Sequence, residues 1–185
     1  MNRTAAFGGS HPRTTDAILV GAPTVPSANE PKLSGGIGMV ADDCFFCLIA
    51  AGKQEQECVI YRDEHIVVFP GLHQRPQNQA HIEVVTCAHV PTLYELDDDL
   101  AARVAVMSRK VALALKAEYG ADGITIHQHN EAAGGQHVDH YHMHVVPRYT
   151  DDQYWASVGI REHEFLTTPR ALLEEQARRL RAHFS

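Results

Sequence analysis

Three histidines occupy alternate positions near the end of one apolar segment: His140, His142 and His144. A β-strand turns successive side chains to opposite faces, so this spacing places the three imidazoles on one face of a sheet. The residues between and after them then face a core on the other side: Tyr141, Met143 and Val145. Because imidazole can act as nucleophile, proton donor or metal ligand near neutral pH, the pattern predicts a reaction site. A solvent-exposed polar strand and a metal-sequestering run are the alternatives, and the apolar residues favour the buried strand.

A second group with chemical potential is the Cys-x-x-Cys pair, Cys44 and Cys47. In a cytosolic chain such a pair indicates metal binding or redox activity before a structural disulfide. The redox interpretation needs a thioredoxin-like βαβ context, which the sequence does not provide. Two possibilities remain: the pair is two packed thiols, or it is half of a zinc site that needs two further ligands.

Five segments have the composition and length of strands that would position these residues. The first two are joined at Asp63-Glu64 and predict a hairpin, and a loop over residues 130–136 joins the last two. The predicted strands cover residues 58–62, 65–70, 81–86, 123–129 and 138–146. Sequence neighbours with short connections favour an antiparallel sheet, and with the helices this predicts an α+β fold.

Two helices are predicted to accompany the sheet. Thr92 and Glu95 have the spacing of a capping box, which indicates a helix start. An apolar stripe at helical spacing then runs over residues 100–115 and ends before Gly120. Near the C-terminus, Thr168 as N-cap and Pro169 at the first helical position predict a last helix.

Length and composition limit the organisation of the 185-residue chain. The composition predicts a disordered extension over residues 1–40, a domain over residues 41–150, and a tail with the last helix over residues 151–185. The net charge of −7 disfavours nucleic acid as a partner. The absence of an apolar run of ~20 residues and of a signal-peptide core predicts a cytoplasmic protein without a membrane partner. Histidine is the outlier, because six of 13 lie between His127 and His144.

The segment that contains the alternating histidines, His140-Tyr-His-Met-His-Val-Val146, resembles the motif of the histidine triad (HIT) superfamily. The preceding loop, from Asn130-Glu131 to Gly135-Gln136, resembles the phosphate-side loop of its nucleotide-binding branch. The Cys44-Phe-Phe-Cys47 segment resembles the domain start of zinc-containing bacterial members. The resemblance covers about residues 42–149 and implies a HIT-like fold, with an antiparallel sheet of about five strands, one long helix and a C-terminal helix.

The resemblance also implies an activity, which is hydrolysis of a nucleoside phosphoramidate, a nucleotidyl ester or a dinucleoside polyphosphate through a nucleotidyl-histidine. By position, His142 is the nucleophile and His144 binds the α-phosphate oxygens. Asn130 and Gln136 belong to the loop that faces the phosphate. His137 stands where many relatives carry Ser or Thr, and its imidazolium would be the leaving-group acid unless it is a solvated loop residue.

In zinc-containing relatives the cysteine pair is completed by two histidines, which implies a structural zinc site of four residues: Cys44, Cys47, His89 and His140. His81 corresponds to a histidine that supports the active site. The resemblance further implies a homodimer built from the long helix and a strand edge. One departure is that Gly71 stands where relatives carry an Asp that binds ribose hydroxyls. A nucleotide- or metal-binding regulator with little catalysis and a nucleotidyltransferase are therefore the alternative functions.

Overall fold

The sheet has five strands in the computed structural model, which describes residues 44–157 and 167–184. The strands are β1 (Tyr61–Arg62), β2 (Ile66–Pro70), β3 (Ile82–Thr86), β4 (Gly123–His127) and β5 (His142–Arg148). The helices of the described residues are α1 (Phe45–Ala50), α2 (Asp98–Tyr119) and α3 (Arg170–Arg181). All strand pairs are antiparallel, in the order β1-β2-β3-β5-β4. The predicted α+β fold is confirmed, and the predicted extension over residues 1–40 lies outside the described residues.

One face of the sheet packs against the two longer helices. The apolar stripe of α2 supplies Val104, Val111 and Leu115, and α3 adds Ala177 and Leu180. The strand residues in this cluster include Ile66, Val68, Ile82, Val84 and Val145. Tyr141 is buried in the same cluster and Met143 packs against it, so the residues that alternate with the histidines face the core as predicted.

The opposite face carries a smaller apolar cluster and the polar side chains of the site. Phe46 and Ile49 of α1 pack there on Val67, Phe69 and Val85. This cluster anchors the cysteine-bearing segment to the sheet, because α1 is six residues long and too short to be stable alone.

On this face the strand register aligns a row of side chains across the sheet. Phe69 pairs with Glu83, Glu83 with His144, and His144 with His127. Directly opposed residues of neighbouring strands share a face, so four strands present these side chains side by side.

The start of α2 differs from the prediction. Thr92 and Glu95 do form a capping box, but it closes a short 3-10 turn over Leu93–Glu95. Leu96 then has an extended backbone with ψ of 141°, which ends that turn. The long helix begins afresh at Asp98, and the side chain of Asp97 caps it by accepting from the Leu100 N–H at 2.7 Å. Gly120 ends the helix in the left-handed conformation with φ of 63°, as a helix-terminating glycine should.

All five strands are shorter than predicted or shifted, and β1 and β5 differ most. Strand β1 covers two residues, because Gln56–Cys58 forms a 3-10 turn in front of it. Strand β5 begins at His142 rather than at residue 138, since Tyr141 still donates its N–H to the Val90 carbonyl outside the sheet. The first histidine of the triad therefore precedes the strand that carries the other two.

Helix α3 begins one residue later than predicted. Pro169 is its N-cap, with ψ of 134°, so it cannot be the first helical residue. Thr168 instead donates its N–H to the Leu72 carbonyl and ties the tail to the strand β2 side. Within the described residues, no helix has the length and apolar character needed to cross a bilayer.

Candidate functional site

Two histidines of the triad lie on the open face of the sheet. His142 and His144 are the first and third residues of β5, and both are buried. Their ring centroids are 4.7 Å apart, and the edge of one ring faces the other. Strand geometry thus brings together the two imidazoles to which the sequence assigned nucleophile and phosphate contact.

The backbone fixes the tautomer of His142. Its Nδ1 lies 2.7 Å from the carbonyl oxygen of His140, so Nδ1 carries a proton and donates it to this acceptor. In the neutral ring the lone pair is then on Nε2. The ring of Phe46 packs against His142 at 5.0 Å between centroids and restricts its orientation. This is the arrangement that a histidine nucleophile requires, because one nitrogen is held while the other carries the reactive lone pair.

His144 lies at the centre of a group of imidazoles. A hydrogen bond of 2.8 Å joins its Nδ1 to Nε2 of His81, the residue expected to support the active site. The ring of His127 stacks on His144 with centroids 4.5 Å apart. His129 meets the same ring edge-on at 5.7 Å. We call these four residues together with His142 the histidine face.

A buried carboxylate adjoins the histidine face where the sequence departs from its relatives. Glu83 is 9% exposed and pairs directly with His144 in the strand register. A Cβ at Gly71 would lie 2.9 Å from Oε1 of Glu83 and 3.3 Å from Nδ1 of His81. The space beside Gly71 is therefore filled by Glu83, and only a residue without a Cβ fits it without displacement.

The predicted phosphate-side loop uses its two amide side chains to hold its own shape. Asn130 accepts the Leu93 N–H at 2.8 Å and bonds with the side chain of Gln128. Gln136 accepts the Glu131 N–H and donates to the carbonyls of Pro91 and Val138. Both amides therefore brace the loop, and their assignment as phosphate-binding residues stays a prediction.

His137 lies exposed on the same loop. Gly135 precedes it with φ of 89°, a left-handed conformation that suits glycine. Its assignment as leaving-group acid stays a prediction.

The four residues of the predicted metal site converge beside the histidine face. The sulfur atoms of Cys44 and Cys47 lie 3.4 and 3.5 Å from Nδ1 of His140, and the Cys47 sulfur lies 3.3 Å from Nδ1 of His89. All four donor atoms are within 4.8 Å of one another. A tetrahedral zinc ion would set sulfur and nitrogen about 3.6 Å apart, so the spacing and the donor set both fit this metal. We call this group the Cys₂His₂ cluster.

His140 is prepared as a ligand by its burial. Its Nε2 donates to the Thr86 carbonyl at 2.7 Å, which leaves the lone pair on Nδ1, toward the cysteines. Burial, together with the neighbouring His89 and His142, lowers the pKa of His140 to about 4. The ring is therefore neutral near pH 7, and the same residue gives its backbone carbonyl to His142.

The end of strand β5 is fixed by a buried ion pair. Asp152 accepts two hydrogen bonds from Arg148 at 2.7 and 2.9 Å and one from Asn78 at 2.7 Å. The guanidinium of Arg148 holds the pKa of Asp152 well below its usual range. The same guanidinium lies 4.0 Å from the ring centre of Tyr154 and 5.0 Å from that of the exposed Trp155. The tail beyond the sheet is thus tied to the strand that carries the site.

A family comparison agrees with this geometry. The HIT domain profile matches residues 52–151, which is more than half of the chain. The chain belongs to the HIT family.

Individual HIT proteins are similar over most of their length. An adenylylsulfatase of Arabidopsis thaliana is 33% identical over 150 residues, which cover 76% of this chain and 73% of the relative. An adenosine 5′-monophosphoramidase of Schizosaccharomyces pombe is 28% identical over 116 residues, which cover 63% of this chain and 81% of the relative. The crystal structure of a Zn-bound histidine triad family protein from Mycobacterium smegmatis matches with a TM-score of 0.60 and 28% identity, over 77% of this chain and 93% of that protein.

Sequence reasoning overlooked three side chains at the HIT site: His127, His129 and Glu83. The signal that could have found them is the period of two, because His127 and His129 alternate at the end of one predicted strand and Glu83 alternates with Ile82 and Val84. The strand pairing that brings them to His144 was not readable from either segment alone.

Proposed function

We propose that this HIT protein is a nucleotidyl hydrolase that cleaves a nucleoside phosphoramidate, a nucleotidyl ester or a dinucleoside polyphosphate. The activities for which the two relatives are named, adenylylsulfatase and adenosine 5′-monophosphoramidase, support hydrolysis at a nucleotide phosphorus. The observation that carries the proposal is the 2.7 Å contact between Nδ1 of His142 and the His140 carbonyl. It orients the ring so that, in the neutral form, the lone pair lies on the nitrogen that would attack.

The first half of the proposed reaction forms a covalent intermediate. Nε2 of His142 attacks the α-phosphorus, the N–P bond forms, and the bond from phosphorus to the leaving group breaks. The ring keeps its Nδ1 proton and becomes a nucleotidyl-imidazolium, whose positive charge is stabilised by the His140 carbonyl. In the second half water attacks phosphorus, the N–P bond breaks and a proton of the water is released to solvent. The nucleoside monophosphate leaves, and His142 returns to the neutral form with its Nδ1 proton in place.

Other residues stabilise charge and move protons in this proposal. His144, held through Nδ1 by His81, contacts the phosphate oxygens on which negative charge increases. In this proposal the loop over residues 130–136, which is closed by its own backbone hydrogen bonds, borders the same anion. His137 on this loop supplies the proton that the leaving group needs. Asn130 and Gln136 contribute by holding the loop that binds phosphate.

The Cys₂His₂ cluster is proposed to hold a structural zinc ion. The donor set, the spacing and the Zn-bound M. smegmatis neighbour support this assignment. A zinc ion with four protein ligands has no open position, so its contribution when bound is stability rather than catalysis. It would join α1 to the segment before β5 and thereby fix the carbonyl that orients His142.

A binding regulator with little turnover is the second candidate. The observation that favours it is the departure at Gly71, where Glu83 and His81 fill the space beside the backbone. A nucleotidyltransferase, the third candidate, would pass the nucleotide to an acceptor other than water.

We also propose a homodimer formed by α2 and the edge strand β4. Val106 and Leu113 on α2 and Ile126 on β4 are each about half exposed, at 56%, 54% and 48%. These side chains give the twofold contact an apolar surface. A cytoplasmic location stays a prediction.

A substrate panel tests the proposed activity. Adenosine and guanosine phosphoramidates and dinucleoside polyphosphates are incubated with wild type and with His142→Ala, and nucleoside monophosphate release is measured. We expect turnover of at least one class, reduced at least about 1,000-fold in the variant because the covalent route is lost. Binding without turnover in wild type would favour the regulator, and transfer to added phosphate in place of water would favour the transferase.

A further inference from the structure

Two histidines beside the site have no task in the proposed reaction. His127 is the last residue of β4 and His129 lies two residues beyond it, and each offers a ring nitrogen within 4.8 Å of a ring nitrogen of His144. We propose that His127, His129 and His144 form a second metal site, which takes a divalent transition-metal ion on imidazole ligands alone. We call it the three-histidine site, and it is separate from the Cys₂His₂ cluster, with which it shares no residue.

The strand pairing makes this site a consequence of the fold. His127 and His144 are register partners on the neighbouring strands β4 and β5. His129 follows two residues later, and its ring lies 5.2 Å from that of His127 and 5.7 Å from that of His144. Two imidazoles from paired strands and one from the residues just after β4 thus converge on the open face.

Hydrogen bonds prepare two of the three rings as ligands. Nδ1 of His129 donates to the Gly134 carbonyl at 2.7 Å, which leaves the lone pair on Nε2. His144 is joined through Nδ1 to Nε2 of His81 at 2.8 Å, so its own Nε2 is the ligand when Nδ1 donates. Metal-binding histidines are generally held in this way, with the second nitrogen donating to a fixed acceptor.

The donor set determines the class of metal. Imidazole suits zinc, copper, nickel and cobalt, whereas magnesium and calcium prefer oxygen ligands. A tetrahedral ion with Zn–N of about 2.1 Å needs donor nitrogens about 3.4 Å apart, so the rings must approach from their present spacing. His127 and His129 are only partly buried, and binding would open the stack in which the His127 and His144 planes lie 14° apart. Three protein ligands leave a fourth position for water or a phosphate oxygen.

Cobalt titration of the full-length protein tests this site. Co²⁺ is added to metal-free protein while binding is followed by calorimetry and by absorption. Cobalt in the Cys₂His₂ cluster gives a thiolate-to-cobalt charge-transfer band, whereas cobalt on three imidazoles adds heat and ligand-field absorption without that band. In wild type we expect a second equivalent of cobalt that adds heat and ligand-field absorption without the charge-transfer band.

Two variants and one control assign the second equivalent. His127→Gln and His129→Gln should each lose it or weaken it at least about 10-fold, while the charge-transfer band stays and shows that the fold is intact. His65→Gln should retain both equivalents, because this partly exposed histidine pairs with Glu64 away from the site. A single equivalent of cobalt in wild type would overturn the proposal. An unchanged second equivalent in both variants would also overturn it and would assign the metal to His81, Glu83 and His144.

An activity measurement extends the test and rests on the proposed function. Because a metal ion at this site would take the lone pair of His144, Zn²⁺ should inhibit wild type in proportion to the second equivalent and inhibit His129→Gln much less. If wild type has no turnover, the proposed function fails while the cobalt titration still decides the three-histidine site. Equal inhibition of both proteins would contradict the link between the site and His144.

Discussion

The Cys₂His₂ cluster and the histidine face come within two residues of each other on the chain, at His140 and His142. Their side-chain surroundings suit different tasks. His140 is fully buried, faces two thiols and presents a neutral ring to a closed set of donors. His142 and His144 lie on the sheet face among other imidazoles and one carboxylate. The same residue type is therefore proposed as a structural ligand in one place and as a reactive group in the other, and its partners make the difference.

The two regions are also joined at one atom. The carbonyl oxygen of His140 accepts the Nδ1 proton of His142, so the residue that closes the cluster also orients the proposed nucleophile. Strand β5 begins just after this contact, at His142. Changes in the cluster should therefore reach the histidine face through the backbone, whereas changes of the His142 ring should not reach the cluster.

The largest expected effect on stability comes from His140→Ala. Loss of one ligand should abolish stoichiometric zinc and lower the free energy of unfolding by about 4 kcal/mol or more, because a buried ring and a structural metal are both lost. Metal content by atomic emission and thermal unfolding measure the two effects. His142→Ala is the matched control and should keep its zinc. Unchanged zinc in His140→Ala would remove this residue from the site.

A smaller effect on stability is expected from Asp152→Asn, which changes neither the Cys₂His₂ cluster nor the histidine face. Removing the carboxylate that pairs with the Arg148 guanidinium should lower the free energy of unfolding by about 2–3 kcal/mol. The pKa of this carboxylate is lower in the folded than in the unfolded protein. It therefore stabilises the fold fully at pH values above the unfolded pKa of about 3.9, and this contribution is lost as the pH falls from there toward the folded pKa. Urea unfolding should thus show a gap between wild type and variant that is constant near pH 7 and narrows below about pH 4.

The exposed Asp151 provides the control for this pair of measurements. Asp151→Asn should change stability little, since asparagine tolerates the positive φ of 65° at this position. A gap for Asp152→Asn that stayed constant into strong acid would show that the ion pair does not carry the effect.

The smallest effect concerns the contact between Gly71 and Glu83. Gly71→Ala should cost about 1–3 kcal/mol, because the new Cβ lies 2.9 Å from Oε1 of Glu83. Adding Glu83→Ala should relieve much of that cost, so the two changes should be clearly non-additive in urea unfolding. Gly134→Ala is the control, since a Cβ there meets no atom within 4 Å. If the effects of the two changes on unfolding were additive, the contact with Glu83 would not be the reason why Gly71→Ala is destabilising.

The sequence could predict the residues that follow a local rule. The period of two at His142 and His144, the apolar stripe of α2 and the terminating Gly120 each depend on neighbours along the chain. It predicted too early a start for α2, because a capping box is equally compatible with a short 3-10 turn. It also overlooked His127 and Glu83, because their roles come from pairing with His144 across strands. The Cys₂His₂ set came from family resemblance, since its members are scattered over almost 100 residues.

The most direct test of the nucleophile is to trap the intermediate on the enzyme. Wild type is mixed with an adenosine phosphoramidate, quenched within one turnover, digested and mapped by mass spectrometry. We expect an adenylyl group on the peptide that contains residues 140–148, localised to His142 and absent in His142→Ala. Turnover of the substrate with no adduct on His142, or with the same adduct in the variant, would contradict it.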